Sequence, residues 1–327
     1  MCGISGCYIS NMSADVMKNL YEIFLHQASR GIEGAGISIN NSGLYRFRTL
    51  SPYRLFNVYN HKIWEKIKTG DRVLIHNRYP TSSPNELNFN HPIANETDDI
   101  HIIHNGVLYN YHELYDKLKK KHKFETEKGD KYTDSEVIVH TFEDGLKKHN
   151  NDVEKAMLYM YKKVSGSFAV AINIKGDKNI YLVRHSNPII ISKDKKGNHY
   201  FSSELDKDNK QIRFVCELKE GEIGKLTTKG YKKMVVYEPI TKQRSIIHYG
   251  RNRPVYDIDE PIETVELGHE IETLIKKTKR KLKKKRPDIS YSKLCLHIFT
   301  AIDQNYPNIN IENSDIRSAI REAIDKK

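Results

Sequence analysis

Four short β-forming segments, SFAVAINI (167–174), NIYLVRHS (179–186), PIIISKD (188–194) and HYFSSE (199–204), follow one another at hairpin spacing. The gaps between them are too short for crossover helices, so these strands are expected to pair antiparallel. RFVCELKEGEIGKLTTKGYKKMVVY continues the strand pattern to about residue 248. Ahead of this block, helices and strands come in mixed order. Apolar residues at helical spacing predict helices over ADVMKNLYEIFLHQASR, VYNHKIWEKIKTG, YHELYDKLKKKHKF, SEVIVHTFEDGLKKH and DVEKAMLYMYKKVSG. GLYRFRTL, DRVLIHNRYPT and DIHIIHNGVLYN read as strands, the last breaking at Asn105-Gly106. There is no regular β-α alternation and no GxGxxG after a first strand. The pattern therefore predicts a layered α+β fold and argues against a doubly wound nucleotide fold.

The composition shifts near Asn252, where NRPVYDIDEP reads as a linker. The chain is expected to divide into residues 2–250 and a basic, mainly helical extension over 251–327. Net charge is +12, and Lys276 to Arg286 alone carries nine basic residues in eleven. Such a run suits a solvated helix face, a docking surface for a protein, or a nucleic acid. No apolar stretch approaches the roughly 20 residues of a membrane-spanning helix, and no secretory signal is visible, so no membrane partner is expected. Four cysteines, at 2, 7, 216 and 295, show no zinc-like spacing and are too few for a disulfide framework. A reducing cytoplasmic location fits them.

The opening MCGISG places a cysteine directly behind the initiator methionine. Removal of Met1 would leave a thiol and a free α-amine on one residue. The amine, with a reference pKa of about 7.7–8.0, can serve as a base near neutral pH, and the thiol is intrinsically nucleophilic. Three further groups sit at strand ends or turns. Arg78, in HNRYPT, presents a planar guanidinium suited to a carboxylate. Asn105-Gly106 offers a side-chain amide and a backbone N–H as an oxyanion-type pair, although the same dipeptide also suits a hairpin turn. Asp134 opens a helix and suits either a cap or the ammonium of an amino acid. Thr133 to Glu136, TDSE, reads as a capping box.

Taken in order, MCGISG, RGIEGAG, HNRYPTSSP, HPIA, HNGVLYNYHEL, TDSE, GSFAVAI and FSSE resemble class II glutamine amidotransferase domains, which are N-terminal-nucleophile hydrolases. The resemblance implies a four-layer αββα sandwich. It implies that Cys2 attacks the glutamine side-chain amide, with Asn105 and Gly106 stabilising the oxyanion. Arg78, Thr81, His91 and Asp134 would bind the substrate, and Arg30 would support the nucleophile loop. A γ-glutamyl thioester would form, ammonia would leave, and water would release glutamate. The resemblance implies no cofactor and no metal. Glu33 stands where such domains usually carry Asp or Gln. No acceptor-domain motif follows residue 250, so the ammonia is expected to serve an acceptor on a separate subunit, with the basic extension as its docking element. A catalytically silent or regulatory module, or a nucleic-acid-associated protein using Lys276–Arg286, are the alternatives.

Overall fold

The computed structural model describes residues 2–56, 67–79, 86–127, 132–206, 209–237, 267–289, 291–306 and 314–325. Thr81, most of the helix expected over 58–70, the linker at 252–261 and the boundary at 250/251 lie outside the described residues.

Period-two alternation of apolar residues builds two antiparallel sheets. The first has seven strands in the order β11-β9-β10-β1-β4-β2-β3. These are β1 (Gly3–Tyr8), β2 (Gly34–Asn40), β3 (Leu44–Thr49), β4 (Arg72–Arg78), β9 (Ile190–Asp194), β10 (His199–Ser202) and β11 (Ile212–Glu217). The second has six strands in the order β13-β12-β8-β7-β6-β5. They are β5 (Ile93–Ala94), β6 (Ile100–Leu108), β7 (Gly166–Ile174), β8 (Ile180–His185), β12 (Glu222–Thr227) and β13 (Gly230–Val236). The expected hairpins β7–β8 and β9–β10 both form. They lie in different sheets, because the chain crosses the sandwich after β8.

Alternation sorts each strand between two cores. In β7, Phe168, Val170 and Ile172 face an outer helical layer, while Ala169 and Ala171 face the opposite sheet. In β4, Val73 and Ile75 face outward and Leu74 faces inward. The inner core joins Ile4, Tyr8 and Leu74 of the first sheet to Ile103, Ala171 and Leu182 of the second. Helices α2 (Tyr111–Leu118), α3 (Asp134–Lys148) and α4 (Val153–Lys163) cover the second sheet. Helix α1 (Ala14–Gln27) covers the first sheet. The result is the expected αββα sandwich.

Helices α5 (His269–Lys285), α6 (Tyr291–Asn305) and α7 (Ser314–Asp325) complete the outer layer over the first sheet. Ile275, Leu294, Ile298, Ile302, Ile320 and Ile324 share one apolar cluster with Leu20, Phe24, Val73 and Ile75. Polar ties fix the same packing. Arg54 donates to Asp303 Oδ1 from Nε and NH2, at 3.2 and 3.1 Å. Lys279 donates to the Ile324 carbonyl at 2.6 Å. Most of the basic run stays at the surface, and its one apolar residue, Leu282, is half-buried. None of the described helices is long and apolar enough to cross a membrane.

This packing gives a stability prediction. Ile302 is fully buried, so Ile302→Ala should cost about 2–5 kcal/mol in urea unfolding, with one shared transition. A separate, early transition with the main one unmoved would show that α5–α7 fold apart from the sandwich.

Candidate active site

Register decides which polar ends meet. Central strand β1 pairs with β4 through Gly3↔Asn77 and Ile4↔His76, so Cys2 comes level with Arg78. On its other side β1 pairs with β10 through Ser5↔Ser202. Beyond that ladder, Ser203 N donates to the Ile4 carbonyl at 2.9 Å, and Ile4 N donates to Ser203 Oγ at 3.1 Å. Arg30, in the turn after α1, donates from Nε to the Cys2 carbonyl at 2.8 Å and pairs with Glu204 at 2.7 Å. The residues after Cys2 are paired on both sides and Arg30 holds its carbonyl, while its thiol lines a cleft.

That cleft is lined by Cys2, Arg78, Tyr79, Phe89, His91, His104, Gly106, Val107, Tyr111, Tyr132, Thr133, Asp134 and Ser135. It brings together Cys2, Arg78, His91, Gly106 and Asp134 among the residues singled out from sequence. The Asn105 side chain is buried beside it, with Nδ2 3.5 Å from Ser203 Oγ. Arg30 lies behind the nucleophile.

Strand β6 does not break at Asn105-Gly106 as the sequence suggests. It runs on to Leu108, pairing Asn105↔Ala169 and Gly106↔Phe168. Gly106 passes through at φ 146°, where a Cβ would stand 1.9 Å from the Ser167 carbonyl oxygen. Only glycine fits that approach. Gly36, in RGIEGAG, has a similar role: a Cβ there would stand 2.0 Å from the His91 carbonyl oxygen.

Helix α3 carries Asp134 at its first position. Thr133 is the N-cap and accepts from Ser135 N at 3.3 Å. Only this half of the expected capping box forms. The Glu136 carboxylate instead accepts from Glu125 N, Thr126 N and Thr126 Oγ1, and thereby fixes the loop before the helix. Asp134 Oδ2 accepts from Leu108 N at 3.0 Å, which ties the helix start to the end of β6.

The sequence reading named His91 but missed its neighbours His76 and His104 beneath the cleft. His76 and His104 stand two residues before Arg78 and Gly106, on the same strand faces, and this spacing was the available signal. His76 Nε2 donates to the His104 carbonyl at 3.1 Å, bridging the two sheets. His104 Nδ1 shares a hydrogen bond with Ser135 Oγ at 3.0 Å. His91 stacks on His76 with ring centroids 4.1 Å apart. Burial holds all three rings neutral: it pushes His76 down to about 3 and lowers His91 and His104. Also missed was Tyr79, whose N–H donates to Cys2 Sγ at 3.3 Å.

Charge around the thiol is balanced. Burial raises the Cys2 thiol above its ordinary value. The Tyr79 N–H and the Arg78 guanidinium oppose that rise, and Asp134 adds to it. Burial lowers Arg78 to about 10, which still leaves it cationic at neutral pH. Its NH1 donates to Asn90 Oδ1 at 3.1 Å. Glu33, the unusual residue in its motif, pairs with Arg321 of α7 at 2.6 Å.

Residues 83–207 match the family described as a glutamine amidotransferase domain. The glutamine–fructose-6-phosphate aminotransferase of Sulfolobus acidocaldarius is 28% identical over 229 residues, covering 70% of this chain and 37% of that protein. That of Thermococcus kodakarensis is 31% identical over 240 residues, covering 71% and 37%. The chain thus spans about 37% of the length of these curated relatives. Among solved structures, a glutamine phosphoribosylpyrophosphate amidotransferase from B. subtilis superposes with TM-score 0.55 at 18% identity, over 90% of this chain and 63% of that one. The sandwich is of the N-terminal-nucleophile hydrolase type.

The electrostatic arrangement predicts opposite responses in two variants. In chains that retain Met1, alkylation of Cys2 should rise at higher pH than for a free cysteine. Arg78→Ala should move that profile further up, because a cation that favours the thiolate is lost. Asp134→Asn should move it down. Residue-resolved mass spectrometry of iodoacetamide labelling reads both, and shifts in the same direction would refute the assignment.

Proposed function

The chain carries a class II glutamine amidotransferase domain, and on that premise we propose that it hydrolyses the side-chain amide of glutamine and passes the ammonia to an acceptor on a separate subunit. The observation that carries this reading is the convergence of Cys2, Arg78, Gly106 and Asp134 on one cleft.

The roles follow from charge and position. Once Met1 is removed, the Cys2 α-amine takes the thiol proton and the thiolate attacks the amide carbon. The Gly106 N–H and the Asn105 side-chain amide donate to the oxyanion. Arg78 holds the substrate carboxylate and Asp134 its ammonium, with Thr81 assisting and His91 lining the same pocket. Opposite charges lining one cleft suit a zwitterionic amino acid and would orient it with its side-chain amide at Cys2. Collapse of the tetrahedral intermediate breaks the C–N bond. The leaving nitrogen takes the proton from the α-ammonium and departs as ammonia, leaving a γ-glutamyl thioester. Water, activated by the same amine, then releases glutamate. Arg30 keeps the Cys2 carbonyl fixed throughout.

Residues 2–250 are proposed as the glutaminase unit. Residues 251–327 are proposed as an extension that packs on it and presents Lys276–Arg286 to the acceptor subunit, in a reducing cytoplasm.

Kinetics separate binding from chemistry. Losing one charge-assisted contact costs about 1.5–3 kcal/mol, so Arg78→Ala should raise KM for glutamine roughly 10- to 150-fold. Asn105→Ala should leave KM near its starting value and lower kcat by about 10²–10³, since its donor is needed as the oxyanion develops. A change in KM alone for Asn105→Ala would remove it from the oxyanion site.

A further inference from the structure

A second cluster of chemistry-bearing groups lies away from the cleft, where α3 meets the β5–β6 turn and the loop after α2. Four residues supply it: Glu96 from the turn, His122 from the loop, and His140 and Glu143 from one turn of α3. Both imidazole side chains are fully buried. Nδ1 of His122 lies 3.2 Å from Glu96 Oε1 and 3.4 Å from Glu143 Oε2. Nδ1 of His140 lies 3.3 Å from Glu96 Oε2 and 3.5 Å from the same Glu143 oxygen. One donor atom from each residue falls within 4.8 Å of all the others.

These separations suit a ligand shell better than ion pairs. An imidazolium–carboxylate hydrogen bond closes to about 2.7–2.9 Å. A tetrahedral zinc ion with ligands at about 2.0–2.1 Å sets its neighbouring ligand atoms roughly 3.3–3.4 Å apart. The rings also stack, with centroids 4.5 Å apart. Two imidazolium ions would repel in that arrangement, whereas two neutral ligand rings would not. The far side of the His122 ring is backed by a carboxylate: its Nε2 donates to Asp144 Oδ1 at 3.1 Å. A carboxylate-backed histidine is a usual outer shell of a metal ligand. Glu136 Oε1 lies 3.7 Å from His140 Nε2, beyond hydrogen-bond reach. Lys147 occupies only Oε1 of Glu143, at 2.9 Å, which leaves Oε2 turned toward the histidines.

We propose that Glu96, His122, His140 and Glu143 bind one divalent zinc-like ion that fastens the middle of α3 to the β5–β6 turn and to the loop after α2. With all four positions filled by protein, the site is structural. It braces the helix whose first residue is Asp134. Its ligands come from three separate segments and only His140-x-x-Glu143 shows helical spacing, so the site has little local signature.

The test uses the full chain, stripped with a chelator and titrated with Co²⁺ alone. One equivalent should bind and give visible d–d absorption without a thiolate-to-cobalt charge-transfer band, and Zn²⁺ should displace it. His140→Gln or Glu143→Gln should each lower the Co²⁺ affinity by more than about 100-fold, since even outer-shell partners are worth about 10–100-fold. Asp144→Asn should lower it within that smaller range, and Cys2→Ala should leave it unchanged. If the ligand variants fail to fold, the titration of the unaltered chain decides by itself. Absence of stoichiometric binding, a thiolate band, or binding that survives in folded His140→Gln and Glu143→Gln proteins would overturn the site and leave buried ion pairs only.

Discussion

The pairing of β1 on both edges is the constraint from which the cleft follows. A chain terminus usually frays because few contacts hold it. Here the strand that begins at Gly3 is central in its sheet and buried along its whole length. Its register against β4 fixes where Cys2 stands, level with Arg78. Arg30 then holds the Cys2 carbonyl, and Tyr79 meets the thiol. The nucleophilic role proposed for Cys2 calls for this kind of anchoring, because productive attack tolerates little misplacement.

The second sheet supplies the other half of the cleft through β6 and α3. Gly106 lets β6 pass close to β7 without losing the ladder, and Asp134 joins the end of β6 to the start of α3. The neutral histidines between the sheets add no charge beneath the cleft. Arg78 and Asp134 therefore set its electrostatics, a cation at the end of β4 and an anion at the start of α3. The proposed metal site would act on the same helix roughly two turns further on, where His140 and Glu143 stand.

Much of this was legible in the sequence, and what was not has identifiable physical causes. Hairpin spacing of short apolar segments identified β7 to β10, and β7, β8 and β10 read as near-continuous apolar runs because each contributes to two apolar layers. It did not show that β7–β8 and β9–β10 lie in opposite sheets, since hairpin spacing constrains only neighbouring strands. Arg78, Gly106 and Asp134 were found because strand ends and helix starts expose polar groups. Asn105-Gly106 was misread as a strand break, because the same dipeptide serves tight turns and the close strand approach seen here. Thr133 was correctly placed as a cap, but Glu136 serves the loop at Glu125 and Thr126, a contact between segments with no local signature. Ile298 and Ile302 lie one helical turn apart, but the cluster they join includes Leu20 and Val73, far away in the chain, and that pairing has no local signature.

The account depends on Cys2 acting as an N-terminal residue, and one measurement tests that most directly. Purified protein is treated with a diazo-ketone analogue of glutamine, and intact mass and peptide maps are read on the same sample. The account predicts a single adduct on Cys2 in chains that have lost Met1, with glutamine protecting against it. Equal labelling of chains that retain Met1, or an adduct on Cys7, Cys216 or Cys295 in its place, would contradict it.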